Sequence, residues 1–133
     1  MTRVIVNGTF DILHLGHLKM LEMARSFPDS YVYVLIDSDD RVKELKGNDR
    51  PINRAHERAE MLRALRSVDQ VEIFNTSEEL EQMIKDYNPD VMVKGSDYQN
   101  KNIIGAKYCK EIKFYDYIHG YSTTEKIQSI TSR

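Results

Sequence analysis

A chain of 133 residues, 41% hydrophobic and 30% charged, suffices for one cored domain, is too short for a second folding unit and too apolar to be chiefly disordered. Its formal charge of -2 gives no general pull toward nucleic acid or an anionic membrane, so any phosphate it binds must be met by a few placed cations. No apolar run nears the length of a membrane span, the first residues enter a strand instead of a signal peptide, and Cys109 as the single cysteine excludes an internal disulfide. A cytoplasmic protein with one small, buried or partly buried thiol is expected.

Val4-Ile5-Val6 reads as a buried strand, and Leu18, Leu21 and Ala24 carry a helical period. Between them lies Asn7-Gly8-Thr9-Phe10-Asp11-Ile12-Leu13-His14-Leu15-Gly16-His17. A strand, a turn and a helix start aim backbone N–H groups and the positive end of a helix dipole at one place, and the usual occupant is a phosphate. His14 and His17, at i and i+3, share one side of the opening turn and can donate two hydrogen bonds to one anion. Gly8 permits a tight turn, and Gly16 removes a side chain where a ligand would approach the backbone.

Tyr31 to Ile36, aromatic and β-branched, predicts a second strand buried on both faces. Asp37 follows at its carboxyl end, where open α/β sheets place ligands, while Asp39 and Asp40 suit the cap of a short helix. Leu45 to Asn53, with Gly47, Asn48, Asp49 and Pro51, reads as a loop in which Lys46, beside a glycine, can fold a point charge onto a phosphate. A helix is expected from about Arg54 to Leu65, with Met61, Leu62 and Leu65 inward. Arg58, one turn earlier, is either the partner of a carboxylate such as Asp69 or a fork for a phosphate.

Gln70 to Phe74 alternates like a half-buried strand; Ser77 then caps a helix with Leu80, Met83, Ile84 and Tyr87 as its apolar stripe, and Asn88-Pro89-Asp90 stops it. Val91-Met92-Val93 is a short buried strand leading into Lys94-Gly95-Ser96-Asp97-Tyr98. A small helix over Ile104 to Cys109, a strand near Ile112 to Tyr115, and a last helix opening at Ser122-Thr123-Thr124-Glu125 complete the chain. Ser122-x-x-Glu125 fits a capping box, and the same hydroxyls and free N–H groups make a receptor for phosphate oxygens. Strands alternating with helices predict an α/β fold: a Rossmann-like, doubly wound, parallel five-stranded sheet with helices on both faces, in a single domain. The carboxyl ends of its strands would bring Gly8 to His17, Asp37, Lys94 to Tyr98 and the loop before Ser122 to one crevice.

Gly8-Thr9-Phe10-Asp11 with His14-Leu15-Gly16-His17, and Ser122-Thr123-Thr124 with Ile127 after it, resemble the cytidylyltransferase-like nucleotidyltransferases over nearly the whole chain. Both the glycerol-3-phosphate cytidylyltransferases and the adenylyltransferase domain of the ADP-heptose synthases share those strings. Leu45-Lys46-Gly47 with Arg50-Pro51-Ile52-Asn53, Arg58, and Val93 to Tyr98 lean toward the heptose branch. That branch commonly has Gly where this chain has Asn48 or Asp49, and Gly in place of Ser96.

The resemblance implies transfer of a nucleoside monophosphate from a nucleoside triphosphate to a sugar or polyol phosphate, with ATP and a heptose phosphate favoured. By the same likeness His14 and His17 meet the phosphates at the reacting centre, while Gly8, Thr9 and Phe10 contact the nucleotide phosphates. Lys46 and Arg58 screen the acceptor phosphate and the pyrophosphate, and Ser122, Thr123 and Thr124 hold the β and γ phosphates. Gly95, Asp97 and Tyr98 border the ribose or base, and Asp11 and Asp37 lie toward the acceptor. Mg²⁺ is expected with the triphosphate, and Asp11 is either a ligand to it, directly or through water, or a cap of the turn that orients a histidine. A homodimer with no nucleic-acid or membrane partner is expected. The alternatives are CTP with glycerol 3-phosphate, an FMN adenylyltransferase, and a catalytically silent nucleotide-binding module.

Overall fold

The computed structural model describes residues 1–116, 127, 128, 130 and 131. Five strands, β1 (Thr2–Gly8), β2 (Ser30–Asp37), β3 (Gln70–Phe74), β4 (Val91–Gly95) and β5 (Glu111–Tyr115), form one sheet in the order β3-β2-β1-β4-β5, and every pairing is parallel. Four helices connect them: α1 (Leu15–Arg25), α2 (Asp39–Lys46), α3 (Ala55–Arg63) and α4 (Ser77–Tyr87). The expected doubly wound α/β architecture is the one observed. Strand order reverses direction at β1, so the crevice outside the carboxyl ends of β1 and β4 is the topological switch point where such sheets take ligands.

Alternation along the strands feeds two cores. Val4, Val6, Val34, Ile36 and Val93 pack with Leu21 and Ala24 of α1 and with Ala59 and Leu62 of α3. Ile5, Tyr33, Leu35 and Met92 face the other way, against Leu80 and Ile84 of α4. Each fully buried aliphatic side chain stabilises the fold by about 1.5–3 kcal/mol, so these two layers are the main force holding the strand ends in place.

Several boundaries differ from those the sequence suggests. Met61 is 39% exposed, because α3 turns Ala55, Arg58, Ala59 and Leu62 inward and its apolar stripe runs through an arginine. Thr76, not Ser77, caps α4 by accepting from the Glu79 N–H, and Ser38 caps α2 by accepting from the Arg41 N–H. Asp69 pairs with Arg25 at 2.6 Å and not with Arg58. The expected helix near Ile104 to Cys109 is a single 3-10 turn, Ala106–Tyr108. Gly105 precedes it at φ +79°, where a Cβ would come within 2.6 Å of Ile84 Cδ1. The connection from β4 to β5 therefore lies directly on α4.

Candidate active site

The exit of β1 sets the geometry. Phe10 takes a positive φ of 51° and turns its ring back beneath the strand, where it is 3% exposed. Gly8 serves that ring: a Cβ there would stand 3.1 Å from Phe10 Cε2, so the glycine is needed for a close approach and not, as the sequence suggests, for the turn itself. Thr9, between them, donates its hydroxyl to Asp37 Oδ2 at 2.8 Å and accepts from Lys46 Nζ at 3.3 Å. Lys46 is the last residue of α2 and Gly47 its C-cap, so this cation is delivered by a helix end and not by a loop.

His14 occupies the N-cap position of α1, and its ring stacks on that of His17 with centroids 3.8 Å apart and 24° between planes. Its backbone N–H donates to His17 Nδ1 at 3.3 Å. A neutral imidazole that accepts at Nδ1 carries its proton on Nε2, so His17 is set up as a neutral hydrogen-bond donor. Burial, then the charge of His14, then that of Lys46 push its pKa from 6.5 down to about 3. The folded chain thus binds fewer protons than the unfolded chain between these values, and stability falls as pH falls from 6.5 toward 3. Thermal unfolding of the wild type should shift to lower temperature across that window, and a His17→Asn variant should show a flatter dependence.

Gly8, Thr9, Phe10, His14, His17, Asp37, Lys46, Gly95 and Tyr98 all line one crevice of about 410 Å³, within the size range of small-molecule sites. Ser122, Thr123 and Thr124 lie outside the described residues. Asp97 is exposed and not part of the lining. Two other expected site residues do not line the crevice. Arg58 is fully buried behind the crevice, where Nη1 donates to the carbonyls of Thr9 at 2.9 Å and Asp37 at 2.8 Å. Its Nε donates to Asn53 O and its Nη2 to Asp39 Oδ1, both at 2.9 Å. Its fork ties together the exits of β1 and β2 and has no face toward a phosphate.

Asp11 is likewise fully buried, its carboxylate accepting from the N–H groups of Ile52 and Asn53 at 2.8 Å and from Arg50 Nε at 3.3 Å. It organises the loop after α2. Asp37 is held by Thr9 and, at 2.9 Å, by Arg41. Among the described residues no group of three His, Cys, Asp or Glu is placed to hold a metal ion. Asp11, the expected magnesium ligand, has both carboxylate oxygens taken up by Arg50, Ile52 and Asn53.

A scan of protein families matches the cytidylyltransferase-like model over residues 5–128. The chain belongs to the cytidylyltransferase-like family. It is a nucleotidyltransferase. This nucleotidyltransferase is similar to the Bifunctional protein HldE of Helicobacter hepaticus, 50% identical over 127 residues that make up 96% of the chain and 26% of that protein. HldE of Campylobacter fetus is 46% identical over 129 residues, 97% of the chain and 28% of that protein. The chain thus spans about a quarter of the length of the curated relatives it matches. Among solved structures, the lipopolysaccharide core biosynthesis protein from Thermoplasma volcanium superposes with a TM-score of 0.71 at 25% identity, covering 89% of this chain and 99% of that one.

The crevice of this nucleotidyltransferase also holds further polar residues. Lys94, Asn7 and Arg41 line it, with Phe74, Leu80 and Ile103 as an apolar wall. Lys94 stands where its position at the carboxyl end of β4 leads one to expect it. Burial lowers the pKa of Lys94, and that of Lys46 as well.

Proposed function

We propose that the chain transfers AMP from ATP to a sugar phosphate such as D-glycero-D-manno-heptose 1-phosphate, releasing pyrophosphate. The observation that carries this reading is the convergence of the stacked histidines, Thr9 and Lys46 on one crevice at the switch point. The heptose-branch strings around Lys46 and Lys94, the relatives called HldE, and a structural neighbour named for lipopolysaccharide core biosynthesis support this choice of acceptor.

An oxygen of the acceptor phosphate attacks the α-phosphorus in line. The new P–O bond forms as the bond to the bridging oxygen of pyrophosphate breaks, and the electron pair leaves with pyrophosphate. No protein nucleophile is needed, because catalysis rests on positioning and on stabilising charge at the reacting phosphate. His17 donates from Nε2 to an oxygen of the α-phosphate, His14 holds His17 in register through its backbone N–H, and Lys46 screens the phosphates beside Thr9. Magnesium accompanying the triphosphate would neutralise part of its charge.

Pyrophosphate release, measured for each nucleoside triphosphate against a panel of sugar and polyol phosphates, tests the reading. Turnover should be greatest with ATP and the heptose phosphate. Preference for CTP with glycerol 3-phosphate would transfer the chain to the cytidylyl branch, and tight nucleotide binding without turnover of any pair would leave a silent binding module.

A further inference from the structure

Three neighbouring strands end with polar side chains on one face of the sheet. Ile5, Leu35 and Met92 belong to the core packed on α4, and Asn7, Asp37 and Lys94 each follow two residues later, so they project to the same side. Phe10, whose ring lies 5.0 Å from that of His17, belongs to the opposite core with α1. The crevice therefore has two sides: the histidines and the α1 N-terminus on one, and Asn7, Asp37 and Lys94 on the other.

The second side is incomplete in a particular way. Lys94 is 8% exposed and lines the crevice, yet among the described residues it makes no ion pair or hydrogen bond; its ammonium lies 4.2 Å from the centre of the Tyr98 ring. Asn7 Oδ1 is buried and accepts no hydrogen bond among the described residues. A buried ammonium on which the Asp37 and Asp97 carboxylates act only from beyond ion-pair distance, and a buried acceptor without a donor, are both costly, and one ligand relieves both if it brings a negative group and a hydroxyl. Asp37 does not oppose the anion, because Arg41 and Thr9 hold its carboxylate.

We propose that Lys94 and Asn7 form the acceptor subsite, with Lys94 binding the phosphate of the incoming phosphate monoester and Asn7 Oδ1 accepting a hydrogen bond from one of its hydroxyls. This rests on the nucleotidyl-transfer reading above. In-line attack requires the acceptor to enter opposite the departing pyrophosphate. With the triphosphate seated on the α1 side, the side carrying Lys94 is left for the acceptor. Phe74 and Leu80 line the same crevice and supply an apolar surface for the carbon skeleton.

The test is calorimetric titration of the full chain, with and without a non-hydrolysable ATP analogue, using glycerol 3-phosphate, glucose 1-phosphate and inorganic phosphate as probes. Lys94→Met should weaken binding of all three at least tenfold and change analogue affinity less than threefold. Asn7→Ala should weaken the two hydroxylated monoesters and leave inorganic phosphate unchanged. Thermal unfolding checks that each variant folds; Lys94→Met, which removes a desolvated charge, should unfold no earlier than the wild type, and Lys94→Gln replaces it if it does not fold. Unchanged monoester affinity in a folded Lys94 variant overturns the proposal, as does an equal loss of analogue affinity. Turnover that persists in the variant with unchanged acceptor KM leaves the reaction standing and sinks the subsite. Lost monoester binding without turnover by the wild type does the reverse.

Discussion

Replacing His17 with alanine should lower kcat by about a hundredfold or more, equivalent to ~2.7 kcal/mol of transition-state stabilisation, while the Kd for nucleotide changes much less. The asymmetry follows from the state of the ring. His17 is neutral and half-buried, with Nδ1 turned to the His14 N–H, so it brings no net charge to help the triphosphate bind in the ground state. What it offers is a fixed N–H whose hydrogen bond strengthens as charge builds on the phosphate oxygens, and such an interaction appears in kcat. His17→Asn, which keeps both an acceptor for His14 and a donor, should recover part of the loss. Steady-state kinetics together with a nucleotide titration check this; an unchanged kcat in His17→Ala would remove the residue from the mechanism, and a parallel loss of affinity would make it a binding group.

Arg58→Met should have the largest effect on stability, about 3–5 kcal/mol, lowering Tm on the order of ten degrees or more. The side chain is fully buried and serves four oxygens at once, those of Thr9, Asp37, Asn53 and Asp39. Its removal strands three carbonyls, that of Asp37 buried, and part of the half-buried Asp39 carboxylate, and each uncompensated buried acceptor is expensive. Arg58→Lys should be nearly as damaging, since an ammonium cannot reproduce a planar fork. Thermal melts distinguish this from the role suggested by sequence: a phosphate ligand would lose substrate affinity when replaced and leave Tm nearly unchanged.

Arg58 and Asp11 show where the sequence stops being informative. A guanidinium beside a predicted core, or a carboxylate after a glycine turn, advertises its chemistry but not its partners. Here those partners are backbone groups of Thr9, Asp37, Ile52 and Asn53, which only the tertiary fold delivers. The strands were legible because their apolar runs are short, β-branched and bounded by turn residues, and the histidine pair because two imidazoles one turn apart must share a helix face. Met61 was misjudged because an arginine occupies the inward position that helical periodicity reserves for an apolar residue. The pairing of Asn7 with Lys94 was not legible for a related reason. They lie far apart in the chain, and it is the parallel pairing of β1 with β4 that brings them to one face.

The β4–β5 connection carries Ile103 and Ile104 into the wall of the crevice, while Gly105 stands just outside it. With no side chain at Gly105, that connection rests against Ile84, and any larger residue would act as a shim, lifting the wall away from α4. The gauge of the opening is set by an atom the protein lacks. Ligand selectivity should accordingly respond to substitution at a position that no bound molecule reaches.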